Sequence, residues 1–192
     1  MAAAKELFLR DGYALTTLSA VAERAGVAER TVYTRFSSKV TLFQRVVEAA
    51  TVGDTDPTPL PEREWSRIAM TALTLAERID AFADGVSTMH ERLGPLMAVN
   101  GEVEASEPAV QESAAAARSA TVAFLHAFWA GAARDGLLPK TTDLTWLIDT
   151  SIILSAAETR LIISRHLAWD ASTYRDWLRL TWTRLAGAAA QD

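Results

Sequence analysis

Residues Thr16–Lys39 read TTLSAVAERAGVAERTVYTRFSSK, and this stretch decides the fold. Leu18, Val21, Ala22 and Ala25 are spaced 0, 3, 4 and 7, which sets one apolar face on a short helix. Thr17 stands where a hydroxyl oxygen accepts from the free N–H groups of a first helical turn. Gly26 stands where a left-handed residue ends a helix. A second short helix is expected from about Ala28 to Phe36, with Val27, Val32 and Phe36 as its apolar face. Ala22 and Ala25 are small enough to let the two helices approach closely, so the stretch reads as a helix-turn-helix. The remaining face of the second helix, Glu29, Arg30, Thr31, Thr34 and Arg35, is polar and suited to a DNA major groove.

Helical periodicity extends outward on both sides, and nothing alternates with period two. A first helix covers about Ala2–Arg10 and stops at Gly12, and another runs from about Lys39 to Ala50. Residues 53–61 hold three prolines and a glycine and must form a loop, which marks a boundary. A helix resumes near Glu62–Met70. Thr74 and Glu77 have the spacing of a capping box, and Leu75, Ile79, Phe82, Val86, Met89 and Leu93 form a buried stripe behind it. Glu107-Pro108 opens a helix that runs to about Arg134. The segment 143–166 is apolar on more than one side and reads as one covered helix, and Asp170 caps a last helix to about Ala186. The expectation is an all-α chain of about nine helices without an internal repeat. It has a three-helix head at 1–50 and a helical body at 51–192.

Of the 192 residues, 49% are hydrophobic and 22% charged, a composition that excludes disorder. The absence of cysteine excludes a disulfide scaffold and a thiolate site, and fits a cytoplasmic protein. The longest stretch free of Asp, Glu, Lys and Arg that holds bulky apolar residues is Ser119–Ala133, too short to span a bilayer. No signal-peptide pattern opens the chain, and no membrane association is expected. The net charge of −5 hides an asymmetry: residues 1–50 hold seven Lys/Arg against five Asp/Glu, so the remainder carries −7. A mildly basic head on an acidic body points to two tasks in one chain.

The head resembles the TetR (tetracycline-repressor-like) family of bacterial regulators over about residues 3–45. The resemblance rests on Leu7-Phe8, Gly12-Tyr13, Thr16-Thr17, Ala22-Glu23-Arg24-Ala25-Gly26-Val27, Thr31-Val32-Tyr33, Phe36, Ser38-Lys39 and Leu42. It implies a DNA-binding head of three helices, a helical body that binds a small ligand, and dimerisation through the last two long helices. It also implies that Thr17, Tyr33 and Lys39 contact phosphates, while Arg30, Thr31 and Thr34 face the groove. Arg30 can pair with guanine O6 and N7. Glu29 departs from the pattern, since the family often has Lys or Arg there; a carboxylate repels phosphate or accepts from cytosine. The family also usually has a further helical turn ahead of Ala3-Ala4, where this sequence begins with Met1.

In the body, helical phase places Phe82, Val86, Met89, His126, Trp129, Glu158 and Ile162 around a small hydrophobic or aromatic effector. Ile152, Leu161, Trp177 and Trp182 are expected at a homodimer interface. His126 borders an apolar face and reads as a core histidine or a ligand contact; Glu158 and Arg160 read as paired or at an edge. No catalytic motif, cofactor or metal-ligand spacing is present in the sequence, and no enzyme activity is expected. The function expected is a ligand-responsive repressor released from a near-palindromic double-stranded operator. The alternative is a helical interaction protein with a degenerate head.

Overall fold

The computed structural model describes residues 1–54, 56 and 58–187; Thr55 and Pro57 of the expected loop lie outside the described residues, as do 188–192. The described residues form ten α-helices, one short 3-10 turn at Leu60–Glu62 and no strand. The chain divides into two compact units, Met1–Thr55 with Arg92–Ala117, and Asp56–Glu91 with Arg118–Asp192. The first is therefore larger than a contiguous head at 1–50, because 92–117 packs with it.

The first unit holds α1 (Ala2–Leu15), α2 (Leu18–Ala25), α3 (Glu29–Arg35) and α4 (Lys39–Val52). It also takes the C-terminal part of α6 (Leu75–Ser106) and the start of α7 (Pro108–Arg134). Gly12, at φ 77°, interrupts α1 where the sequence predicts a stop. Thr17 caps α2 by accepting from Ala20 N at 3.1 Å. Gly26 ends α2 at φ 66°, its N–H turned back to the Ala22 and Glu23 carbonyls. Phe8, Tyr13 and Phe43 form the aromatic centre, with Phe8 edge-on to Phe43 at 5.1 Å and Tyr13 edge-on to Phe43 at 5.4 Å. Leu18, Val21, Val32, Leu42, Val46, Leu96, Val103 and Val110 close around it.

Three polar ties hold 92–117 to the head. Arg92 donates from Nε to Ala50 O and from Nη2 to Thr51 O, both at 3.1 Å, which satisfies carbonyls at the end of α4. Gln44 donates to Ala109 O and Ser113 Oγ. Tyr13 donates its hydroxyl to Glu107 Oε1 at 3.0 Å. Burial and this carboxylate push the Tyr13 phenol up to about 12, so it stays a neutral donor.

The second unit holds α5 (Glu64–Thr71), the first part of α6, the rest of α7, α8 (Leu144–Leu154), α9 (Ala157–Leu167) and α10 (Ala171–Leu185). The capping box is formed: Glu77 N donates to Thr74 Oγ1 at 3.2 Å, and Thr74 N to Glu77 Oε2 at 3.1 Å. Asp170 caps α10 by accepting from Thr173 N at 2.7 Å, which holds its carboxyl down at about 2. Phe82 stacks on Trp182 at 4.2 Å, and Trp129 lies 5.3 Å from Trp182. Trp65 lies flat against Gly85, whose missing side chain makes the contact possible.

The single helix expected over 143–166 is two helices, broken at Ser155-Ala156. Ser151 and Ser155 donate to the carbonyls four residues back, at 2.7 and 2.6 Å. Such back-bonding bends helices. Ala156 is extended, and Thr159 Oγ1 takes up the freed Ile153 carbonyl.

Candidate nucleic-acid interface

Helices α2 and α3 pack closely at the Gly26 turn, with Val32 buried between them. Val27, expected on the apolar face of α3, is 44% exposed because it belongs to the turn that precedes the helix. Arg30, Tyr33 and Thr34 stand at i, i+3 and i+4 on the outer face, all exposed, with Thr31 and Arg35 beside them. Tyr33 is 50% exposed, and its ring is outside the aromatic centre formed by Phe8, Tyr13 and Phe43.

The charges of the head sort into two groups. Arg10 pairs with Asp11, Arg24 with Glu6 and Arg45 with Glu48, each at 2.7 Å. Lys5 donates to Arg92 O. Among the described residues, Arg30 and Arg35 have no acidic partner, and Arg35 rests over the Phe36 ring at 5.9 Å. Both unpaired guanidinium groups of the head therefore sit on α3.

The hydroxyl groups are poised differently. Thr17 caps α2 as an acceptor, which leaves its O–H free to donate outward. Thr34 donates to Arg30 O at 2.7 Å, so it presents acceptor lone pairs and a methyl group to solvent. Glu29, in the first turn of α3, accepts from Ser19 Oγ, which ties α3 to α2 and places negative charge at a helix N-terminus.

Lys39 is placed differently from the phosphate contact expected. Its Nζ donates to Tyr13 O at 2.8 Å and Ala14 O at 3.2 Å, and lies 4.3 Å from the centre of the Tyr13 ring. The ammonium closes the C-terminal end of α1, where unsatisfied carbonyls attract a cation.

In the second unit the expected ligand residues do not gather around one space. Phe82 and Val86 are buried in the packed cluster, and Met89 is half-buried. Trp129 is fully buried and donates from Nε1 to Ser151 Oγ at 2.9 Å, so it is held as core. His126, Glu158 and Ile162 are exposed, because their phases on α7 and α9 point away from that cluster. The buried histidine is His90 instead, 4% exposed beside Tyr174. Of the expected interface residues, Ile152, Leu161 and Trp177 are half-buried. Trp182 is 1% exposed inside its own unit and is not available to a second copy. Among the described residues no helix is long and apolar enough to cross a membrane.

Residues 1–46 match the sequence profile of the bacterial regulatory proteins of the tetR family. The head is similar to the heads of that family. Over the whole chain, solved structures share the fold. A Clostridium perfringens candidate regulator of fatty acid metabolism aligns with TM-score 0.66 at 14% identity, covering 100% of this chain and 98% of its own. The fatty acid degradation regulator FadR of Bacillus halodurans aligns with TM-score 0.59 at 16% identity, covering 99% and 94%. Salmonella enterica GusR aligns with TM-score 0.59 at 17% identity, covering 97% and 92%. No curated protein matches the sequence.

Proposed function

We propose that this protein is a ligand-responsive, sequence-specific DNA-binding regulator. It acts in the cytoplasm as a homodimeric repressor that a small hydrophobic effector releases from a near-palindromic operator. The observation that carries the reading is the charge pattern of the head: its unpaired arginines both project from α3, the second helix of the helix-turn-helix. Arg30 reads a base edge, with Thr31 and Thr34 beside it in the groove. Thr17 and Tyr33 position the head on phosphates.

Two of the proteins that share the fold are named for fatty acid regulation, which supports an effector with an apolar body. Trp146, Ile153, Ile162 and Leu180 are exposed on α8, α9 and α10, and such apolar surface favours pairing of two copies there. The effector acts by binding the released form more tightly than the DNA-bound form.

Selection of bound duplexes from a random DNA pool tests the reading. The expected product is an inverted repeat whose half-sites are roughly 34 Å apart, or a multiple of that. Enrichment of no sequence at moderate salt rejects it.

A further inference from the structure

In the second unit α9 carries a half-buried arginine, Arg160, whose guanidinium lies over the Tyr174 ring with its carbon 5.3 Å from the centroid. Nη2 donates to Trp169 O at 3.1 Å. Nε and Nη1 are buried and have no hydrogen-bond partner, and among the described residues no acid pairs with this group. His90 of α6 sits against the same ring, its imidazole centroid 5.8 Å from that of Tyr174. It too is buried, with Nδ1 unpartnered.

A guanidinium stays charged at any pH a protein tolerates, and a buried charge without a counter-charge is strongly unfavourable. Three nitrogens, two on Arg160 and one on His90, converge on one ring without an acceptor. Trp169 and Trp177 stand edge to face at 5.8 Å, and Trp177 stacks on Tyr174, so the surroundings are aromatic. The chemistry missing is a compact anion on an apolar body.

We propose that Arg160 and His90 bind the carboxylate of an apolar organic acid, with its hydrocarbon part against Trp169, Tyr174 and Trp177. Arg160 donates from its free nitrogens to the carboxylate oxygens, and neutral His90 donates from Nδ1. The burial of His90 and the charge of Arg160 depress its proton affinity to about 4, which keeps the imidazole neutral. This proposal rests on reading the second unit as the effector-binding part of a regulator.

Calorimetric titration of the full chain, without DNA, tests it. The probes are hexanoate, octanoate, decanoate and phenylacetate, each beside its primary amide and beside inorganic phosphate. The expected result is at least one carboxylate bound about tenfold or more tightly than its amide. Arg160→Gln should abolish that preference and Arg160→Lys should keep part of it. The comparison of acid with amide needs no substitution, so it holds even where Arg160→Gln does not fold. Equal binding of acids and amides, phosphate binding as tight as any carboxylate, no binding of any acid, or a preference that survives Arg160→Gln overturns the site. A separate arm reads release of the selected operator. A carboxylate that binds through Arg160 without releasing DNA rejects the effector reading while the site stands. Neutral ligands that release DNA equally from wild type and Arg160→Gln reject the site while the regulator reading stands.

Discussion

Arg30 and Lys39 are both cations of the head, and their surroundings give them opposite tasks. Arg30 is exposed and unpaired on α3, so Arg30→Ala should weaken operator binding by about 1–3 kcal/mol and relax one base position. Loss that is equal across operator variants would make it a phosphate contact instead. Lys39 is held on two α1 carbonyls and the Tyr13 ring. Lys39→Ala should therefore lower stability by about 1–2 kcal/mol and leave the salt dependence of DNA binding unchanged. A slope smaller by about one unit in a salt titration would return Lys39 to the phosphates. Gly85 is a third decisive residue: a Cβ there would stand 2.2 Å from the Trp65 ring. Gly85→Ala should displace that indole and cost about 1–3 kcal/mol in urea unfolding, and an unchanged midpoint would show that Trp65 moves aside freely.

At the scale of elements, the legible features are those whose cause is local. Thr17, Gly26, the Thr74–Glu77 box and Asp170 each act within one turn of chain, and each stands where the sequence places it. Thr74→Ala should cost about 1 kcal/mol through the lost cap, measured by thermal unfolding. The break between α8 and α9 was not legible, because an apolar run of period 3.6 does not reveal which serines turn back on their own carbonyls. Trp129 shows the same limit: its partner, Ser151, is 22 positions away. The turn to His90 rather than His126 is likewise tertiary. His126 lies among apolar residues in sequence, whereas His90 stands between Met89 and Glu91, and the tertiary packing that sets Tyr174 of α10 against it is what buries His90. In the head, the motif residues of α3 were legible, whereas the Lys39 clamp depends on where α1 ends in space.

For the whole molecule, His90 sets an acid limit. Its folded value, about 4, is below the ordinary 6.5, because burial disfavours the imidazolium. The unfolded chain thus binds the proton more readily, and stability should fall as pH drops from about 6.5 toward 4, by at most about 3 kcal/mol. His90→Phe should flatten that part of the stability profile, measured by denaturant unfolding across the range. Pairing of two copies belongs to the same scale. Ile162 and Leu180 are exposed, and Ile162→Glu should yield monomers by sedimentation that keep their helices and lose operator binding. A wild-type monomer at micromolar concentration would reject the pairing. The distribution of aromatic residues has a further use. All six tryptophans, Trp65, Trp129, Trp146, Trp169, Trp177 and Trp182, belong to the second unit, and the first has none. Indole emission therefore observes one unit alone, while Tyr13 and Tyr33 are the phenols of the other. A spectrometer can follow the melting of the second unit by itself in the unmodified chain. Any change in indole emission when operator DNA is added is then a signal carried out of the head.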